Sequence, residues 1–328
     1  MGAFRGSVTL PSGLKQLTGV YHATLQDCTI GDDALVRNLR QGMARYDIEA
    51  GAVLCDLGCL VVDGEATFGN GLAVHVLRED GELPVVIYDG LSSNIAALLA
   101  MSDEGGEPRM AIERLIADYV DSIRSRRGRV EAGAMLIGCD SLTNLRVGPA
   151  GRVIGATRLH NVSINSRADS PTEIGHGVSI ADSIVADGAH VDGGAIVTRC
   201  FVGQGVRMGK HYSATDSLFF ANSEAYHGEA CSLFAGPYSV THHKSTLLIA
   251  ARTAFFNAGA GTTQCNHAYK TGPAHYGVLE RGCKTGGASV VCWPANVGAF
   301  TTVLGKHSNG FDTREFPFSY LVDSHGHT

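Results

Sequence analysis

Charge and aromatic rings are scarce in this chain. Of its 328 residues only 18% are Asp, Glu, Lys or Arg, 7% are aromatic, and a single Trp is present. The formal net charge of −6 comes with no basic face, which excludes the usual electrostatic footprint of a DNA or RNA reader. The one basic run, Arg124, Arg126, Arg127 and Arg129, falls at the end of a helical segment, where a solvated helix terminus accounts for it. No apolar run is long enough to cross a bilayer, and the N-terminus lacks the charged-then-apolar order of a signal peptide. The nine cysteines include no CxxC pair, and an odd count without paired spacing suits reduced thiols in a cytoplasm.

Glycine, by contrast, is abundant, with 42 residues. Small corner residues and a continuous apolar stack are what a solenoid requires. The chain also advances in steps of six. Ile174 and Ile180 are one such step, and Val185, Val191 and Val197 continue it before a five-residue slip to Val202 and Met208. Val147, Val153 and Leu159 repeat the pattern, as do Val291, Val297 and Val303. Gly or Asp follows many of these positions, as in Ile174-Gly175, Val191-Asp192 and Val297-Gly298. An inward apolar residue followed by a small corner residue predicts an all-β, parallel β-helix with three six-residue sides per turn.

Four segments follow from this pattern. Residues 1–90 read as degenerate coils, clearest over 18–88, and residues 91–130 break the period. There a Ser-capped helix is expected from Ser92 to Met101, and a second opens near Pro108 with Ile112, Leu115, Ile116, Tyr119 and Ile123 on one face. This inserted helical hairpin is expected to pack on the solenoid or on a neighbouring subunit. Residues 131–310 form the main β-helix, and 311–328 a tail.

A dense polar set interrupts the small and apolar repeat late in the chain. It comprises His242, His243, Lys244, Asn257, Gln264, Asn266, His267, Tyr269, Lys270 and His275. Fourteen positions separate His243 from Asn257-Ala258-Gly259-Ala260-Gly261-Thr262-Thr263-Gln264-Cys265-Asn266. In wording and spacing, this resembles the acetyltransferase half of the bifunctional UDP-N-acetylglucosamine pyrophosphorylase/glucosamine-1-phosphate acetyltransferase, a hexapeptide-repeat acyltransferase. That half carries a histidine and then N-x-G-A-G-T-x-x-C-N without a gap.

The resemblance implies a left-handed β-helix, a homotrimer, and transfer of an acyl group from acyl-CoA as co-substrate to an amine or hydroxyl of a small metabolite. By the same resemblance His243 is the general base, the backbone N–H near Ala260 stabilises the oxyanion, and Asn257 and Asn266 hold the acceptor. His267, Lys270, Lys244, Gln264 and His275 complete the expected binding set, and the late coils Gly286–Gly305 face CoA. No Gly-rich phosphate loop marks a nucleotidyltransferase-like domain. No Lys or Arg lies from His211 to His243, where that family grips its sugar phosphate.

Two other readings of these residues stay open. His242, His243, His267 and His275 could together ligate a metal, imidazole being a common zinc donor. The solenoid could instead be a non-catalytic scaffold for ligand binding or assembly. Over nearly its whole length the chain also resembles an uncharacterised family of long bacterial β-helix proteins. The shared phrases are Thr198–Gly205, Ser232–Pro237, Val240–Ala250 and Pro317–Tyr320.

Overall fold

The computed structural model describes residues 1–78, 84–102, 105–265 and 275–324. Its body is a parallel β-helix with three faces. Strands 173–174, 190–191, 207–209, 224–226 and 240–241 stack in register on one face. Strands 196–198, 213–215, 229–231, 247–249 and 263–265 stack on the next. Strands 201–202, 218–219, 234–235, 251–253 and 277–279 form the third.

Each turn closes on the next through backbone hydrogen bonds, and the expected inward residues form the core. Ile174, Ile180, Val191, Val197, Val291 and Val297 are all at most 1% exposed. Complete burial of such a side chain is worth about 1.5–3 kcal/mol.

The turn is shorter than three sixes. Ile174 pairs with Val191, Val191 with Met208, and Met208 with Ala225, a step of 17 residues each time. The five-residue slip between Val197 and Val202 is therefore a regular side of every such turn. At that corner the chain turns on a single left-handed residue, as at Asp182, Arg199 and Asp216, with φ of 51°, 49° and 47°. Asn and Asp tolerate this conformation best among non-glycines. Their side chains also bond along the corner: Asn161 donates to Asp182 at 2.8 Å, and Arg199 to Asp216 at 2.8 Å.

The N-terminal coils belong to the same stack. Residues 46–48 pair with 128–130, and residues 53–55 with 135–137. The chain leaves the solenoid after Val61 and rejoins it at Gly128. Residues 73–74 and 85–86 pair antiparallel with each other and so do not belong to the degenerate coil expected through residue 88. The excursion starts down the insertion corner, where Asn144 and Asn161 accept the backbone N–H groups of Asp63 and Gly69.

Two helices follow, α1 (Ser93–Met101) and α2 (Glu107–Ile123). Ser92 caps α1 by accepting the Ile95 N–H at 3.3 Å, and Pro108 sits in the first turn of α2. The buried face of α2 runs through Arg109, Ile116 and Val120. Leu115, expected on that face, is 70% exposed, because it lies on the helix flank one step from Ile116. The helices pack on the third solenoid face. There Ile184, Phe201, Leu218 and Phe234 form an outward apolar column, all buried beneath the insertion.

Candidate functional site

His242, His243 and Lys244 lie at one corner of the solenoid, between the first and second faces, and Asn257 lies on the first face one coil on. Along this corner the chain turns at Gly193-Gly194, Lys210-His211, Tyr226-His227, Lys244-Ser245 and Ala260-Gly261. His211 donates its N–H to Gly193 at 2.8 Å, Ser245 to His227 at 3.3 Å, and Gly261 to Lys244 at 2.9 Å. The two halves of the motif, fourteen positions apart in sequence, thus stand on adjacent coils. Asn257 bridges Val240 in parallel on the same face, and Ala258 donates its N–H to Val240 at 2.8 Å.

His242 and His243 are not successive residues of a strand with side chains on opposite faces. The strand ends at Thr241, and both histidines sit in the corner turn with ring centroids 4.3 Å apart, edge to face. His242 Nδ1 lies 3.6 Å from Glu224 Oε2, a carboxylate one coil below. His243, Lys244, Asn257 and Ala260 are exposed. Among the described residues the Ala260 N–H donates to no protein group, while its carbonyl accepts the Ala288 N–H at 2.7 Å.

The corner is cationic. His227 is pushed below the ordinary imidazole value by partial loss of water, and then by Lys210, Lys244 and His211. Lys210 Nζ sits 4.8 Å over the Tyr226 ring. The His211 ring lies against the backbone of the coil below, where a Cβ on Gly194 would come 2.6 Å from its Nδ1.

The remaining expected residues are placed differently. Gln264 points inward at 0% exposure, stacked between Leu248 and Val291, so it cannot reach a ligand outside the solenoid. The inward column of the repeat dictates this, because 264 follows 248 by one turn. His275 is 9% exposed and precedes the third-face strand at Gly277, away from the histidine corner. Asn266, His267, Tyr269 and Lys270 lie outside the described residues. Among the described residues no group of three His, Cys, Asp or Glu side chains is arranged to hold a metal. Of the metal set expected from His242, His243, His267 and His275, the first two are adjacent, His275 lies elsewhere, and His267 lies outside the described residues. Among the described residues, too, no helix is long and apolar enough to cross a membrane.

Glu224 escaped the sequence reading. Its signal was present, since one 16-residue turn places it beside Val240, two residues from His242.

Comparison with known proteins gives the family but no activity. The chain is 25% identical over 320 residues to an uncharacterized protein of Treponema pallidum, a match covering 94% of this chain and 44% of the relative. It therefore spans less than half the length of that relative. A family model described as a domain of unknown function, DUF4954, matches residues 1–328, and the chain belongs to that family.

Proposed function

We propose that this protein is an acyltransferase that moves an acyl group from a CoA thioester to an amine or hydroxyl of a small metabolite. The observation that carries the reading is the stacking of the two motif halves. Val240 bridges Asn257 and Lys244 accepts from Gly261, so His243 and Ala260 stand at one corner on adjacent coils, with Asn257 on the face that leads into it.

In this reading the acceptor nucleophile attacks the thioester carbonyl and His243 takes its proton. An imidazole suits that task, because its pKa lies near neutral pH. The developing oxyanion would be met by the Ala260 N–H. The C–S bond then breaks, CoA leaves as thiolate, and the proton passes from His243 to its sulfur. Asn257, whose side-chain amide has no protein partner among the described residues, would hold the acceptor. Glu224 beside His242 would steady the histidine pair from below. A homotrimer with His243 beside a neighbouring chain, left-handed coils and CoA over Gly286–Gly305 complete the proposal, carried by the resemblance alone.

His243→Ala tests it. Loss of a positioned general base lowers kcat by about a hundredfold or more, with little change in KM. An unchanged kcat would remove His243 from the mechanism.

A further inference from the structure

The groove at the lower end of the helical cover lies on the face opposite the histidine corner. The outward column of the third face runs Ile184, Phe201, Leu218, Phe234, Arg252 and Val278. The insertion buries it down to Phe234 and stops there. Below that edge a groove of about 410 Å3 opens between α1 and the solenoid. Phe234, Pro237, Val278 and Ala97 give it an apolar floor and wall.

Two arginines stand on its rim, and their contacts are unusual. Arg252 Nη1 lies 2.8 Å from the Met101 sulfur, and the Arg281 guanidinium lies 5.3 Å over the Phe255 ring. Among the described residues neither has a carboxylate within ion-pair distance. Most other arginines near the insertion do: Arg109 pairs with Glu113 at 2.8 Å, and Arg127 with Asp27 and Asp47 at 2.6 Å each. Glu280 shares the rim and leaves its balance positive. A concave apolar site with a few convergent polar groups is the ordinary form of a small-molecule pocket. Arginine is the side chain suited to planar carboxylate, sulfonate and phosphate heads.

We infer that this groove is a second binding site, separate from the histidine corner, for a small organic anion with an apolar body. The anionic head lies between Arg252 and Arg281, and the apolar body lies against Phe234 and Val278. The inference does not rest on acyl transfer, and either can fail without the other.

Calorimetric titration with naphthalene-1-sulfonate and its uncharged analogue 1-naphthalenemethanol tests it on the full chain. The sulfonate is expected to bind saturably with Kd near or below ~1 mM, and the alcohol at least tenfold more weakly. Arg281→Gln is expected to weaken sulfonate binding about tenfold and to leave the alcohol unchanged. Arg252→Gln should do the same. Because Arg252 also touches Met101, Arg281→Gln keeps the test independent of any loosening of the cover. Ala97→Trp, filling the groove from α1, should block both probes. Equal affinity for the two probes, indifference to Arg281→Gln in a folded protein, or no saturable binding up to ~10 mM would each overturn the inference.

Discussion

Gly261 donates its backbone N–H to the carbonyl oxygen of Lys244 at 2.9 Å. That bond ties the glycine-rich half of the motif to the histidine half across one coil boundary, and it fixes which residues share the corner. It also sets the control for His243. His242 and His243 touch edge to face, and Glu224 holds His242. His242→Ala is therefore expected to lower kcat through repositioning of its neighbour, by less than His243→Ala. Glu224→Gln should give a smaller loss in the same direction. Equal, mild losses for both histidine variants in steady-state kinetics would show that neither is the base.

The core stack makes a sharper stability prediction. Val191 is 0% exposed, with Ile174 and Met208 as its partners on the coils either side. Val191→Asp places a carboxylate in that dry stack and should cost more than about 3 kcal/mol, read by chemical denaturation. A loss under about 1 kcal/mol would mean that the position is open to water.

A second stability prediction rests on close approach. A Cβ at Gly277 would come 2.0 Å from the Trp293 ring, and the indole Nε1 is fixed by donating to the Ile249 carbonyl at 2.6 Å. The ring cannot yield without losing that bond. Gly277→Ala should therefore destabilise by about 1–3 kcal/mol, measured as a fall in Tm. An unchanged Tm would contradict this packing.

The return strand of the insertion gives a pH dependence. Arg127 bonds Asp47 at 2.6 Å and holds its carboxyl below the usual carboxylate range. Because the folded pKa is depressed, the unfolded chain binds more protons in the window below about pH 4, so stability falls as pH falls there. Asp47→Asn should flatten the acid limb of a denaturation-midpoint profile and leave its slope above pH 5 unchanged. An acid limb identical to that of the wild type would remove Asp47 from the account.

Much of the fold is legible in the sequence, because a solenoid writes its period directly. The inward positions Ile174 to Val202 and the Ser92 cap are local signals, and each is where the spacing placed it. The antiparallel pair 73–74 and 85–86 was not legible: Phe68 and Val74 keep the six-residue step by coincidence, and only the partner at 85–86 shows otherwise. Gln264 looked like part of the polar site because the motif surrounds it, yet a 16-residue step from Leu248 puts it inside. Glu224 and the Arg252 groove are legible only through the register. Their neighbours are one turn away, and a register of 16 or 17 residues becomes readable only once the five-residue side is recognised as regular.

The most direct test of the acyl-transfer account is thiol release from acetyl-CoA in the presence of small amines and hydroxyl compounds, with a chelator added. The account predicts acceptor-dependent release that survives chelation and falls about a hundredfold or more in His243→Ala. Release at the same rate in wild type and His243→Ala, release abolished by the chelator, or no release with any acceptor would contradict it.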